Sequence, residues 1–134
     1  MKNGIVGLFM LLGMIFFGAC EDQGQIQNDT FVIEIDSVEV PDNVTANTPF
    51  VLRFYGLVGT DGCYQFSHFR QQVYDNVVLV TSIGTHKSGA VDCPAVMVYL
   101  EGEPLTLTLN EPGKYLLTVQ QPDNQIMETE IGVE

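Results

Sequence analysis

Two kinds of pattern divide the chain. Residues 4–19 form an apolar run of Ile, Val, Leu, Phe, Met and Gly with no charge, whereas from residue 31 apolar and polar positions alternate. Alternation at period two marks a strand half buried on one face. The segment FVIEIDSVEV (31–40) alternates Phe31, Ile33 and Ile35, then changes phase to Val38 and Val40. A bulge or bend near Asp36 and Ser37 would rotate the inward face in this way, which predicts a first strand shared between two sheets. VPDNVTANTP then supplies turn chemistry, with Pro fixing φ and Asn or Asp bonding its own backbone. In FVLRFYGLV (50–58), Phe50, Leu52 and Phe54 alternate against Val51, Arg53 and Tyr55. Further strands are expected over residues 64–74, 77–85, 95–101, 105–109, 115–120 and 125–133.

Seven or eight short strands punctuated by turns, without a convincing 3.6-residue period, indicate an all-β antiparallel sandwich or barrel. The stretch LTLTLNEPGKYLLTV (105–119) decides for the sandwich: an alternating strand, a Pro-Gly turn, then Tyr115 opening another alternating strand. It resembles the E–F corner of immunoglobulin-like domains, where a tyrosine hydroxyl ties back to the backbone upstream. The resemblance implies an immunoglobulin-like antiparallel β-sandwich of seven to eight strands over residues 31–134. Tyr115 would be its corner residue, buried and bonded to backbone near residues 109–112. An ordinary hairpin with an aromatic at its base is the alternative. The chain has no tryptophan, so antibody-type domains with a buried indole are not matched.

The apolar run is a separate object. A transmembrane helix needs roughly 20 apolar residues to cross about 30 Å of hydrocarbon, and this run is shorter and carries Gly4, Gly7, Gly13 and Gly18. A core helix would be amphipathic and capped; this run is apolar on every face. A secretory signal fits: Lys2 gives the positive start, residues 5–17 the apolar centre, and Gly18 and Ala19 the small residues a peptidase needs. With the next residue, FGAC (17–20) resembles the lipobox of bacterial lipoproteins, in which a small pair precedes a cysteine that becomes the new N-terminus. The family favours Leu where this chain has Phe17. The resemblance implies lipidation of Cys20, removal of residues 1–19, and attachment to the bacterial cell envelope, at the outer membrane, facing either the periplasm or the surface. Two acyl chains give stable anchoring at about 0.8 kcal/mol per buried methylene, so the protein would be tethered rather than embedded. Residues 20–30, with Ile26 as the one aliphatic after the cysteine, read as a flexible spacer.

Composition narrows the partners. The chain is 46% hydrophobic and 16% charged, a globular balance for one domain. All 17 acids lie at or beyond Glu21, and loss of the leader leaves four scattered bases, Arg53, Arg70, Lys87 and Lys114. Nucleic acid and anionic lipid headgroups are expected to be poor partners for this surface, because phosphate binding requires clustered Lys and Arg. The acidity itself reads as a solvated exterior.

Cys63 and Cys93 remain in the domain, each beside a Gly- or Pro-containing turn. Export into an oxidising compartment predicts that they pair, and closing a loop with this spacing is worth about 3–4 kcal/mol of chain entropy. A metal or nucleophile role lacks the usual spacing of partners. For catalysis the candidates are Ser67 beside His68, and His86. Adjacent strand residues face opposite sides, so Ser67 and His68 are expected not to share a proton, and no G-x-S-x-G or H-E-x-x-H is present. A mixed site from Asp61, His68, His86 and Asp92 matches no metal motif, and Glu101 and Glu103 flank Gly102 at an expected turn. Tyr55, Tyr64 and Tyr74 are the candidates for an exposed stacking surface.

The expected function is therefore a non-enzymatic envelope or cell-surface lipoprotein, without cofactor or metal, acting as a binding or structural module. Its ligand would be a protein or a carbohydrate, with the membrane engaged through the lipid. The competing reading is a tethered inhibitor or accessory protein that presents a disulfide-pinned loop at residues 85–94.

Overall fold

The computed structural model describes residues 24–89 and 91–134. The leader and Cys20 lie outside the described residues, and no helix within them is long and apolar enough to cross a membrane. Among the described residues eight strands are present: β1 (Gln27–Val32), β2 (Ser37–Glu39), β3 (Phe50–Gly59), β4 (Tyr64–Tyr74), β5 (Val77–Ser88), β6 (Val98–Leu107), β7 (Gly113–Gln120) and β8 (Ile126–Val133). A single 3-10 turn, Pro122–Asn124, links the last two. The described residues are all-β.

Two sheets share one apolar core. The larger contains β1, β4, β5, β7 and β8, and the smaller runs β2-β3-β6. Phe50, Leu52, Phe54 and Val58 of β3 are buried, as are Val78 and Val80 of β5, Leu117 and Val119 of β7, and Ile131 and Val133 of β8. These residues fall at every second position, so the alternation in sequence is the alternation of faces. Phe54 of the smaller sheet meets Phe69 of the larger, ring centroids 4.6 Å apart.

Several expectations are corrected. The pairing is not wholly antiparallel, because β5 runs parallel to β7, Val77 opposite Leu116 through Thr81 opposite Gln120. Meanwhile β4 covers one edge of β5 from Val77 to His86. The other edge is therefore divided: β7 takes its first half, and β1 its second, antiparallel, from Val32 opposite Ile83 to Gln27 opposite Ser88. Residues 27–30, polar enough to read as spacer, are strand because β5 offers them a complete set of backbone partners. The segments expected at 95–101 and 105–109 merge into the single strand β6. No turn stands at Gly102; its φ of +87° forms a bulge between Glu101, opposite Tyr55, and Glu103, opposite Phe54.

The phase change read in residues 31–40 corresponds to a crossing from one sheet to the other. Ile33 N–H donates to Ser82 O at 2.9 Å in the larger sheet, and Asp36 N–H donates to Tyr55 O at 2.8 Å in the smaller. Between them the Gln121 carboxamide accepts from Ile35 N–H and donates to Ile35 O, both at 2.8 Å. Gln121 follows the last residue of β7, so its side chain extends that strand's ladder by one step onto the crossing segment. Ser82, opposite the place where β1 and β7 end, is wholly buried, and its hydroxyl has no partner.

Tyr115 is 8% exposed, and its hydroxyl donates to Glu111 O at 2.9 Å. At the same end, Ala46 N–H donates to Glu134 O and Asn47 N–H to Leu109 O, both at 2.8 Å, which draws residues 41–49 against the C-terminus.

The two side chains at this crossing predict opposite outcomes. Gln121→Ala leaves an amide and a carbonyl of Ile35 without partners and should cost about 1–3 kcal/mol, whereas Ser82→Ala removes an unsatisfied hydroxyl and should be neutral or slightly stabilising. Urea midpoints of the two variants against the unaltered protein check both; a Gln121→Ala midpoint equal to the original would reject the role given to this amide.

Candidate functional site

Side chains with chemical potential gather at the end of the molecule where β3 turns into β4. Cys63 and Cys93 are joined, Cα atoms 5.2 Å apart. The connection after β5 is held there by more than the disulfide: Gly62 N–H donates to Pro94 O at 2.8 Å, and a Cβ added at Gly62 would stand 2.9 Å from the Pro94 ring. Only glycine permits so close an approach. Asp61 Oδ1 accepts from Cys63 N–H at 2.9 Å and lies 4.0 Å from His86 Nε2. The His86 ring stacks on Tyr64 at 4.0 Å between centroids, and Tyr64 meets Phe31 edge-on at 5.6 Å. Of the mixed site imagined from sequence, Asp61 and His86 therefore come together. His68 stands apart, opposite Ile83 in the ladder, and Asp92 approaches only through its carbonyl oxygen, 3.9 Å from Cys63 Sγ. Thr85 to Ser88 belong to β5, so of the loop expected at 85–94 the first four residues are strand, while residues 91–97 before β6 lie outside both sheets.

Ser67 and His68 overturn an expectation. A register shift between Phe66 and His68 leaves Ser67 without a cross-strand partner, and this bulge turns the two side chains toward each other, Ser67 Oγ to His68 Nδ1 at 2.9 Å. Strict alternation of faces fails at a bulge. Both residues are exposed, and among the described residues the histidine–carboxylate contact is that of His86 with Asp61, not one with His68.

The outer face of the smaller sheet carries a second group. Tyr99 stands opposite Leu57, and Glu101 opposite Tyr55, while Glu39 stands opposite Arg53. Tyr99 is 52% exposed, and the residues leading to it, Val96 and Met97, are 52% and 50% exposed. Tyr55 is half-buried, held by a 3.1 Å hydrogen bond from its hydroxyl to Glu39 Oε2. Arg53 donates to Gly102 O at 3.3 Å, so the bulge in β6 is clamped from β3. Tyr64 is enclosed by Phe31 and His86, and Tyr74 is half exposed at the end of β4. Tyr99 was not among the aromatics picked out from sequence. The signal for it lies in AVMVYL (95–100), where three apolar residues exceed what an alternating strand can bury.

The hydrogen bond to Glu39, which the phenolate could not donate, is the main reason the Tyr55 hydroxyl titrates above its ordinary value of 10.0. Desolvation and the Glu39 charge act in the same direction, and Arg53 opposes them. Ionisation is thus disfavoured in the folded protein, and Tyr55's contribution to folding is lost as pH rises through the raised value. Glu39→Gln should bring the Tyr55 titration down toward the ordinary value. Ultraviolet absorbance of the phenolate, with Tyr55→Phe identifying the transition, checks the shift; an unchanged or higher midpoint would contradict this cause.

Comparison with protein-family models, with curated proteins and with solved structures returns no match for this chain.

Proposed function

We propose that the chain is a non-catalytic lipoprotein of the bacterial envelope, lipidated on Cys20 and tethered by it to the outer membrane. Its immunoglobulin-like β-sandwich binds a protein or carbohydrate ligand. The observation that carries the binding role is the exposed strip of Val96, Met97 and Tyr99, which continues across the smaller sheet onto Leu57 and Tyr55. Aromatic rings on a rigid strand contribute contact area at low cost in side-chain entropy. Glu39 and Glu101 beside them supply acceptors for a ligand's hydroxyl or amide groups. Tyr115 supports the immunoglobulin-like part of the reading, since its hydroxyl reaches back over the turn to Glu111 O. The mixed larger sheet is compatible with it, because one N-terminal segment contributes to both sheets.

A second reading, a tethered inhibitor or accessory protein, draws on the segment leading into β6, which is pinned at Cys93 and Pro94. On that reading the recognition element would be the loop rather than the sheet face.

One preparation tests these statements. The chain is purified from membranes, its intact mass is measured, and it is displayed on liposomes against arrays of envelope polysaccharides and proteins. The expected mass is that of a chain beginning at an acylated Cys20. The Met97→Ser/Tyr99→Ser variant should bind at least about tenfold more weakly than the original, the scale of a truncated hot spot. An unmodified chain retaining residues 1–19 would overturn the anchor. Equal binding by the variant would overturn the sheet face as the binding surface.

A further inference from the structure

The outer face of the larger sheet carries a hollow that the smaller-sheet reading does not use. Leu79 and Thr81 of β5 point to this face, because Val78 and Val80 alternate with them and are buried on the other. On β4, Gln72 stands opposite Leu79 and Arg70 opposite Thr81, and on β7 Gln120 stands opposite Thr81. These five side chains line a hollow of about 460 Å³, within the usual range of small-molecule sites, about 300–1,000 Å³. We propose that it is a second ligand site, which takes the carboxylate of a uronic acid unit in an acidic saccharide between Arg70 and Gln120.

The direction of the hydrogen-bonding groups selects an anion. Thr81 is 8% exposed, so it forms the floor, and its hydroxyl donates to Gln120 Oε1 at 3.3 Å. With that oxygen engaged, Gln120 has its NH2 group left for a ligand. On the other side of Thr81 the Arg70 side chain is exposed, and among the described residues its guanidinium forms no ion pair. Neighbouring strands lie about 4.8 Å apart, so a group resting over Thr81 is within reach of both side chains. Donors converge there without a negative partner, and the guanidinium fork matches the two oxygens of a carboxylate. The charge of the lining strands agrees. None of the chain's 17 acids lies on β4, β5 or β7, while Arg70, Lys87 and Lys114 do. On this sheet carboxylates resume at Glu128 of β8, opposite Thr118. An otherwise acidic chain thus keeps acids away from this hollow.

The remaining lining favours a sugar over a peptide terminus as the bearer of the carboxylate. Gln72 is exposed at the rim and offers both a donor and an acceptor, as neighbouring hydroxyls require. Leu79 offers contact to the C–H face of a ring, and it is the one apolar side chain of the lining. A peptide C-terminus would bring a last side chain that needs a deeper apolar socket. This hollow and the strip of Met97 and Tyr99 belong to different sheets, so each can be occupied without the other.

The full chain in detergent is titrated with methyl glucuronoside, and binding is read by saturation transfer from protein to ligand in proton NMR. Methyl glucoside, the same ring without the carboxylate, and acetyl-dialanine, a carboxylate on a peptide, are titrated beside it. The glucuronoside should bind with a dissociation constant of about 1 mM, the scale for so small a ligand. The other two should bind at least about tenfold more weakly. Arg70→Gln should weaken glucuronoside binding by about tenfold, and Thr81→Val, which releases the Gln120 carboxamide, by a smaller factor. The Met97→Ser/Tyr99→Ser variant should bind it as the original does, which separates this site from the smaller-sheet surface. Circular dichroism monitors the fold of each variant. The proposal is overturned if no transfer is seen up to about 20 mM glucuronoside, or if Arg70→Gln and Thr81→Val both retain full affinity. Equal binding of the glucoside would overturn the carboxylate as the determinant, and equal binding of acetyl-dialanine would overturn the saccharide. Loss of binding in Met97→Ser/Tyr99→Ser would overturn the hollow as a separate site.

Discussion

The arrangement of strands rests on how one edge of β5 changes partner. A strand edge can be shared by two strands only if both stop where they meet, and here β1 stops at Val32 and β7 at Gln120. The backbone at such a junction would be left with amides and carbonyls facing nothing, which folded proteins do not tolerate in quantity. Gln121 resolves this with a carboxamide, a side chain that presents the same donor and acceptor as a peptide unit. By gripping Ile35 at both its N–H and its C=O, it lets the chain leave the larger sheet through a segment paired to neither. Gly56 makes room for the departing strand: a Cβ there would stand 2.3 Å from Glu34 O. From this crossing follow the addition of β2 to β3 and the closing of the two faces over a common core.

Sequence pattern disclosed the parts governed by local periodicity. The alternation in β3 and β7 located those strands closely, since each buries one face and any slip would expose it. The phase change after Ile35 also had a physical counterpart, the passage between sheets. What the pattern could not convey was partnership. Whether β5 meets β7 in parallel depends on which edge is vacant after β1 and β4 have docked, a relation among distant residues. Likewise Gln27 to Thr30 are extended because β5 pairs with them, not because their own composition favours a strand.

The site was legible to a smaller degree, for two reasons. Cysteines announce their pairing through compartment and spacing, and Cys63 and Cys93 are joined. By contrast, irregularities of one residue rearranged the rest. The extra residue at Ser67 brought its hydroxyl to His68, and the one at Gly102 turned an expected reversal into a continuous strand flanked by two glutamates. Bulges insert without changing composition, so nothing in a count of apolar and polar positions separates them from a regular strand. Gln121 left no trace of its role either, because a glutamine after a strand is unremarkable until the backbone it touches is known.

The position of β1 has a mechanical consequence. Tension applied through the segment preceding Gln27 acts first on this strand, whose six residues pair with β5 from Ser88 to Ile83. Ladder bonds lie across the strand axis, so a pull along that axis shears all of them together, while a sideways pull opens them one at a time from the Gln27 end. Behind β1 stands β5, flanked on its opposite edge by β4 and stitched to the Cys63 segment by Lys87 N–H donating to Cys63 O. A load arriving through the segment before Gln27 is thus passed to a strand hydrogen-bonded to the crosslinked Cys63 segment, and β1 resists being drawn away far better along one direction than across it.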